Sequence, residues 1–160
     1  MLTYIIADDD LMYRQMTSYQ LELIPNLKCL AVCDSAIAAS AEIQKLLPDL
    51  LILDVEMPGL TGIELAKSLT QVPMIIFISS HSSYAADAFE VDAIDYLVKP
   101  VPPHRLMRAI EKARQLKEMK KAIPANEGFQ NNTEDSFFIK DKSSFVKINY
   151  EDVIYIESLG

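Results

Sequence analysis

Leu50-Leu51-Ile52-Leu53-Asp54 is the stretch on which the fold turns. Its apolar residues run without alternation, which suits a strand buried on both faces, and such strands belong to parallel sheets covered by helices. The run ends in a carboxylate. A second run has the same form: Tyr4-Ile5-Ile6-Ala7 leads into Asp8-Asp9-Asp10. In a parallel sheet the carboxyl ends of the strands meet in one crevice, so both runs aim their aspartates at one place. Crowded carboxylates repel and raise one another's pKa. A hard divalent cation that prefers oxygen ligands relieves this, and Mg²⁺ is the expected ion. A helix N-cap accounts for one aspartate; three in a row exceed what capping needs.

Outward from these two strands, apolar runs alternate with helical spacing. The pattern predicts strands over 3–7, 27–33, 50–54, 74–79 and 94–98. It predicts helices over 11–24, from Asp34 or Ser35 to near Leu47-Pro48, from after the loop Pro58-Gly59-Leu60-Thr61-Gly62 to about 70, over 83–91 and over 103–121. Met12, Met16, Tyr19 and Leu23 share one face of the first helix, and Leu106, Ile110, Ala113 and Leu116 form the buried face of the last. Five βα units in this order make a doubly wound α/β domain, a five-stranded parallel sheet with helices on both faces. Residues 1–121 form this domain, 122–136 a polar linker without periodicity, and 137–160 a short β fragment. In that fragment 137–140, 145–148 and 153–157 alternate as strands, with a hairpin turn at Asp141-Lys142-Ser143-Ser144. So few strands are marginal alone in water. The fragment is expected to be the opening of a second domain, or to be covered by a second copy in a homodimer.

Composition bounds the function. The 160 residues are 50% hydrophobic and 24% charged with a net charge of −8, which suits a globular domain and disfavours attraction to nucleic acid or an anionic membrane. No apolar run has the ~18 residues needed to span a bilayer, and the start lacks the regions of a signal peptide. Cys29 and Cys33, spaced for one face of a strand, read as small buried hydrophobes. Without an export signal they are expected to be reduced, which points to the cytoplasm. The basic residues of 103–121 read as a solvated helix face.

The strand ends together present Asp8, Asp9, Asp54, Ser79 and Lys99. Acids that hold a metal, a further carboxylate, a hydroxyl and an ammonium form a phosphoryl-handling set. The carboxylate acts as nucleophile, the metal neutralises charge, lysine pairs with phosphate and the hydroxyl donates to a phosphoryl oxygen.

These motifs resemble a known family. Ile5-Ile6-Ala7-Asp8-Asp9-Asp10, Leu53-Asp54-Val55-Glu56-Met57-Pro58-Gly59-Leu60-Thr61-Gly62, Ile78-Ser79-Ser80-His81 and Asp95-Tyr96-Leu97-Val98-Lys99-Pro100 are similar to the successive signatures of the bacterial response-regulator receiver domain. The resemblance covers about 1–121 and implies a flavodoxin-like strand order, 2-1-3-4-5. It implies that Asp54 is the phosphoacceptor of a sensor histidine kinase, that Asp8, Asp9, Asp54 and the Glu56 backbone carbonyl hold Mg²⁺, and that Asp9 is the more direct ligand. It further implies Ser79 and Tyr96 as the switch pair, Lys99 as the phosphate-pairing lysine and a cis peptide before Pro100. Serine stands at 79 where the family more often has threonine, and the hydroxyl remains. Residues 137–160 resemble the first strands of a LytTR-type DNA-binding domain, so DNA is expected as a partner only through a complete C-terminal domain. The implied protein is a two-component response regulator, a transcriptional switch rather than a turnover enzyme, although the Asp54 chemistry is partly self-catalysed in that family.

Two other readings fit less well. A haloacid-dehalogenase-like phosphatase also forms an aspartyl phosphate but needs an aspartate two residues after its nucleophile, where Glu56 stands. A flavin-binding module needs a hydroxyl- and amide-rich phosphate loop after the first strand, where Asp8-Asp9-Asp10 would repel phosphate.

Overall fold

The computed structural model describes residues 1–122, 136–141 and 144–149. The chain divides into two compact units, Met1–Ala122 and Ile123–Gly160. In the first, the elements run β1 (Leu2–Ala7), α1 (Leu11–Glu22), β2 (Leu27–Cys33), α2 (Ala36–Leu46), β3 (Leu50–Asp54), α3 (Gly62–Ser68), β4 (Met74–Ser79), a 3-10 turn (Ser82–Tyr84), α4 (Ala85–Glu90), β5 (Asp95–Val98) and α5 (Pro103–Ala122). The strands form one sheet in the order β2-β1-β3-β4-β5, and every pairing is parallel. This is the doubly wound, flavodoxin-like arrangement. In the second unit β6 (Ser136–Asp141) pairs antiparallel with β7 (Ser144–Asn149), Asp141 opposite Ser144. The predicted strand over 153–157, the turn residues 142–143 and nearly all of the linker lie outside the described residues.

The pleat of the sheet sorts the core into two layers. Ile5, Ala7, Leu51, Leu53, Ile75 and Phe77 face α2, α3 and α4, while Tyr4, Ile6, Leu50, Ile52, Ile76 and Ile78 face α1 and α5. Every residue of β3 and β4 is buried, which is why both read as unbroken apolar runs. Each fully buried large apolar side chain contributes about 1.5–3 kcal/mol. The centre of the sheet is therefore its most rigid part, and the residues just past β3 and β4 inherit that rigidity.

The structure refines one expectation and corrects three. The helix marked by Met12, Met16, Tyr19 and Leu23 forms, with that stripe exposed and Thr17 and Leu21 buried. The periodicity was helical, but periodicity does not say which of two stripes meets the sheet; Leu21 and Ile24 are the ones that do. Cys33 is buried but Cys29 is exposed. The cause is a bulge in β2: Tyr4 pairs with Cys29 and Ile5 with Ala31, so Leu30 is an extra residue. One extra residue reverses the side-chain alternation, and the two thiols fall on different faces, Cys29 beside Tyr4 and Cys33 in the opposite layer. The helix predicted over 83–91 is a 3-10 turn followed by a short α4, neither begun by a side-chain cap. Leu116 is only partly buried at the rim of its layer.

Candidate functional site

The carboxyl ends of β1, β3, β4 and β5 meet at one edge of the sheet. Asp10 is the N-cap of α1, and its side chain accepts from the Met12 and Tyr13 N–H groups at 2.8 and 3.2 Å. The aspartate run thus divides its labour: Asp10 starts the helix, and Asp8 and Asp9 remain for the crevice. Carboxylate oxygens of Asp8, Asp9 and Asp54 lie within 4.8 Å of one another. Asp8 and Asp54 are buried, Asp9 exposed. Asp8 is held on three sides: its Oδ1 accepts the Asp10 N–H at 2.9 Å, its carbonyl accepts from Arg14 Nη1 at 2.6 Å, and its Oδ2 lies 2.9 Å from Lys99 Nζ.

Lys99 Nζ is also 3.5 Å from Asp54 Oδ2, and the lysine side chain is only 3% exposed. Burial pushes the Lys99 ammonium down, but the hydrogen bond to Asp8 and the charges of Asp54 and Asp8 outweigh it and the net shift is upward. Asp54 is also shifted upward, which for a carboxyl disfavours the charged form. Burial, joined by the charges of Asp8 and Asp9, raises it to about 6 against the pull of Lys99 and of the Glu56 N–H. The two shifts are consistent because the ammonium sits closer to Asp8 than to Asp54. Asp54 is left with less positive charge than it needs. Three carboxylates with that deficit are a hard oxygen donor set, and they fit a divalent cation of the Mg²⁺ kind.

The remaining predicted residues surround this cluster. Glu56 follows β3, and its N–H donates to Asp54 Oδ1 at 3.4 Å. Ser79 ends β4 fully buried; its Oγ accepts the His81 N–H at 3.1 Å and its carbonyl accepts the Lys99 N–H at 2.8 Å. Tyr96 is partly buried against the α2–α4 layer, and its hydroxyl donates to the His81 carbonyl. Burial raises the Tyr96 phenol while the Ser79 hydroxyl beside it pulls the other way. The Lys99–Pro100 peptide is cis.

Five further residues complete the site, and none of them was given a role from the sequence. Gly62 opens α3, where a Cβ would stand 2.1 Å from the Asp54 carbonyl oxygen, so only glycine lets the helix approach the site. His81 Nδ1 lies 2.7 Å from Glu56 Oε2, bridging the loops after β3 and β4, and Tyr84 donates to the same carboxylate at 3.4 Å. Tyr13 places its ring over Lys99 Nζ, 4.4 Å from the centroid. Arg14 anchors the Asp8 backbone. Gly62 and His81 had a signal in the sequence, the one in the Pro58–Gly62 loop and the other in the Ile78–His81 motif; Tyr13, Arg14 and Tyr84 depend on contacts between distant elements.

A parallel five-stranded sheet with an acidic cluster, a buried hydroxyl and a buried lysine at its carboxyl edge defines a receiver-type α/β domain. Residues 4–111 match the family of the response regulator receiver domain, and the chain belongs to that family. It is 34% identical over 155 residues to the sensory transduction protein LytT of Enterococcus faecalis (strain ATCC 700802 / V583), covering 95% of this chain and 60% of that protein. It is 30% identical over 163 residues to the sensory transduction protein LytT of Bacillus anthracis, covering 98% of this chain and 65% of that protein. The chain thus spans 60–65% of the length of these relatives. Among solved structures, the response regulatory domain of protein mrkE from Klebsiella pneumoniae is 26% identical with a TM-score of 0.69, over 74% of this chain and 99% of that one. A DNA-binding response regulator of the LuxR family from Staphylococcus aureus is 28% identical with a TM-score of 0.65, over 71% and 98%. These similarities give no support to the phosphatase alternative. No helix among the described residues is long and apolar enough to cross a membrane.

Proposed function

We propose that the chain is the phosphorylation-operated switch of a cytoplasmic two-component response regulator. Asp54 is the acceptor: a carboxylate oxygen attacks the phosphorus of a phosphohistidine on a sensor histidine kinase, an O–P bond forms, the N–P bond breaks, and the imidazole leaves with a proton. The observation that carries this reading is the meeting of Asp8, Asp9 and Asp54 carboxylates within 4.8 Å beside a buried Lys99. Mg²⁺ held by Asp8, Asp9, Asp54 and the Glu56 carbonyl would supply charge neutralisation at the transferring phosphoryl group. Lys99 pairs with a phosphoryl oxygen, and Ser79 donates its hydroxyl to another. Reorientation of Ser79 is passed to Tyr96, whose ring lies beside it, and from there to the face made by α4, β5 and α5. The phosphoryl group biases two existing states by its different contacts in each.

The output follows from the relatives. Similarity to the LytT proteins supports a LytTR-type DNA-binding domain of which 137–160 is the opening, so DNA is reached through the complete domain and not through this segment. The chain is a switch and not a turnover enzyme. Acetyl phosphate with Mg²⁺ tests the acceptor: intact-mass analysis is expected to show one added phosphate on the wild type and none on Asp54→Asn, with the Asn variant still folded. Equal labelling of both proteins would remove Asp54 from the role.

A further inference from the structure

We propose that Tyr13 is a positioning residue for Lys99, holding the ammonium against Asp8 and Asp54 with the face of its ring. The proposal rests on the reading of Asp54 as phosphoacceptor. Local structure places the ring. Asp10 caps α1 and accepts the Tyr13 N–H itself, so the first turn is locked and Tyr13 lies one turn before Thr17 and two before Leu21, the residues α1 buries. Its ring then covers Lys99 Nζ at 4.4 Å from the centroid. The ammonium, with its side chain 3% exposed, is thus enclosed between carboxylate oxygens at 2.9 and 3.5 Å and the aromatic face.

This arrangement does what neither an aliphatic nor a polar neighbour can do. The ring face is negative and attracts the cation. It excludes water, so the attraction of Lys99 for the carboxylates acts in a lower dielectric. It offers no oxygen that competes for the ammonium's N–H donors. Those donors stay directed at Asp8 and Asp54, where a phosphoryl oxygen would appear. Tyr13 itself touches neither the phosphoryl group nor the carboxylates in this role; it acts through Lys99. Asp8 shares the consequence, because Lys99 is one of the three groups that hold it.

Three proteins test the proposal: wild type, Tyr13→Leu, which keeps bulk and loses the π-face, and Tyr13→Phe, which keeps the π-face and loses the hydroxyl. The rate of Asp54 labelling by acetyl phosphate with Mg²⁺ is expected to fall about 2- to 30-fold in Tyr13→Leu and to recover most of the way in Tyr13→Phe. A second measurement needs no phosphate. In ¹H–¹³C spectra the Lys99 ε-methylene protons are expected upfield of ordinary lysine in the wild type and in Tyr13→Phe, and at the ordinary position in Tyr13→Leu. If the wild type takes no phosphate, the reading of Asp54 falls and the proposal falls with it. If the wild type is labelled and Tyr13→Leu keeps its rate, or Tyr13→Phe is as slow as Tyr13→Leu, the proposal alone is overturned. Should Tyr13→Leu fail to fold, ordinary Lys99 resonances in the wild type or in Tyr13→Phe overturn it.

Discussion

Asp54 and Asp95 are both largely buried aspartates, and their surroundings drive them in opposite directions. Asp54 is raised to about 6 by burial and by Asp8 and Asp9. Asp95 is raised by burial too, but a two-pronged contact from Arg105 at 2.6 and 2.8 Å, with Lys112 at 2.9 Å and the Tyr96 N–H at 2.9 Å, carries it down to about 2. A carboxylate whose folded pKa lies below its ordinary value near 3.9 contributes stability that is present above that value and is lost as pH falls through the folded one. The Asp95 contribution is therefore expected to disappear between about pH 4 and pH 2. Arg105→Ala, which leaves Asp95 with Lys112 and the Tyr96 N–H, is expected to cost about 1–3 kcal/mol in urea unfolding at pH 7 and to flatten the acid limb. An unchanged limb would show that the pair adds nothing. Ser79 gives a residue-scale test of the switch. Its hydroxyl already holds the His81 N–H, so Ser79→Ala is expected still to accept phosphate but to transmit less of it. Hydrogen exchange over 83–121 would then respond more weakly to phosphorylation than in the wild type; an equal response would break the coupling.

At the scale of elements, α3 shows how closely a helix is fitted to the site. Its start is a capping box: Thr61 Oγ1 accepts the Glu64 N–H at 3.1 Å, and Glu64 Oε2 accepts the Thr61 N–H at 2.9 Å. That box brings Gly62 against the Asp54 backbone, its N–H donating to the Val55 carbonyl at 3.0 Å. Gly62→Ala would force a Cβ to 2.1 Å from the Asp54 carbonyl oxygen. The expected cost is about 3 kcal/mol or more, with slower Asp54 labelling, because backbone must move. Gly59→Ala is the control. It sits at φ +81 in open space, so it is expected to lose only about 1–2 kcal/mol of left-handed strain and to leave labelling untouched. Equal losses for both variants in urea unfolding would mean that the close approach is unimportant. The elements were legible to different depths. The unbroken runs of β3 and β4 were clear because both faces of these strands are buried. The first helix was legible as a helix but not in its orientation, since Met12-Met16-Tyr19-Leu23 and Tyr13-Thr17-Leu21-Ile24 both step by three or four residues. The bulge at Leu30 left no mark in the sequence, and it alone separates Cys29 from Cys33.

For the whole molecule, charge couples the site to stability. With its folded pKa raised, Asp54 contributes stability that is fully present below about pH 4 and is lost as pH rises through about 6. Mg²⁺ that binds only the folded protein is expected to restore it by mass action, about 2.7 kcal/mol at a hundredfold excess over the dissociation constant. The melting temperature should therefore rise with millimolar Mg²⁺, more at pH 7.5 than at pH 5, and fall back on chelation. A melting temperature indifferent to Mg²⁺ at pH 7.5 would count against the acidic cluster as a metal site. The sequence by itself determined the alternation of strands and helices, the parallel sheet and the strand ends at which Asp8, Asp9, Asp54, Ser79 and Lys99 stand. It could do so because burial on both faces and helix capping are written in neighbouring residues. Only the tertiary structure decided which stripe of α1 meets the sheet, that Lys99 lies nearer Asp8 than Asp54, and that Tyr13, Arg14, Gly62 and His81 complete the surroundings. Those facts depend on distances between side chains remote in the chain, which no local pattern encodes.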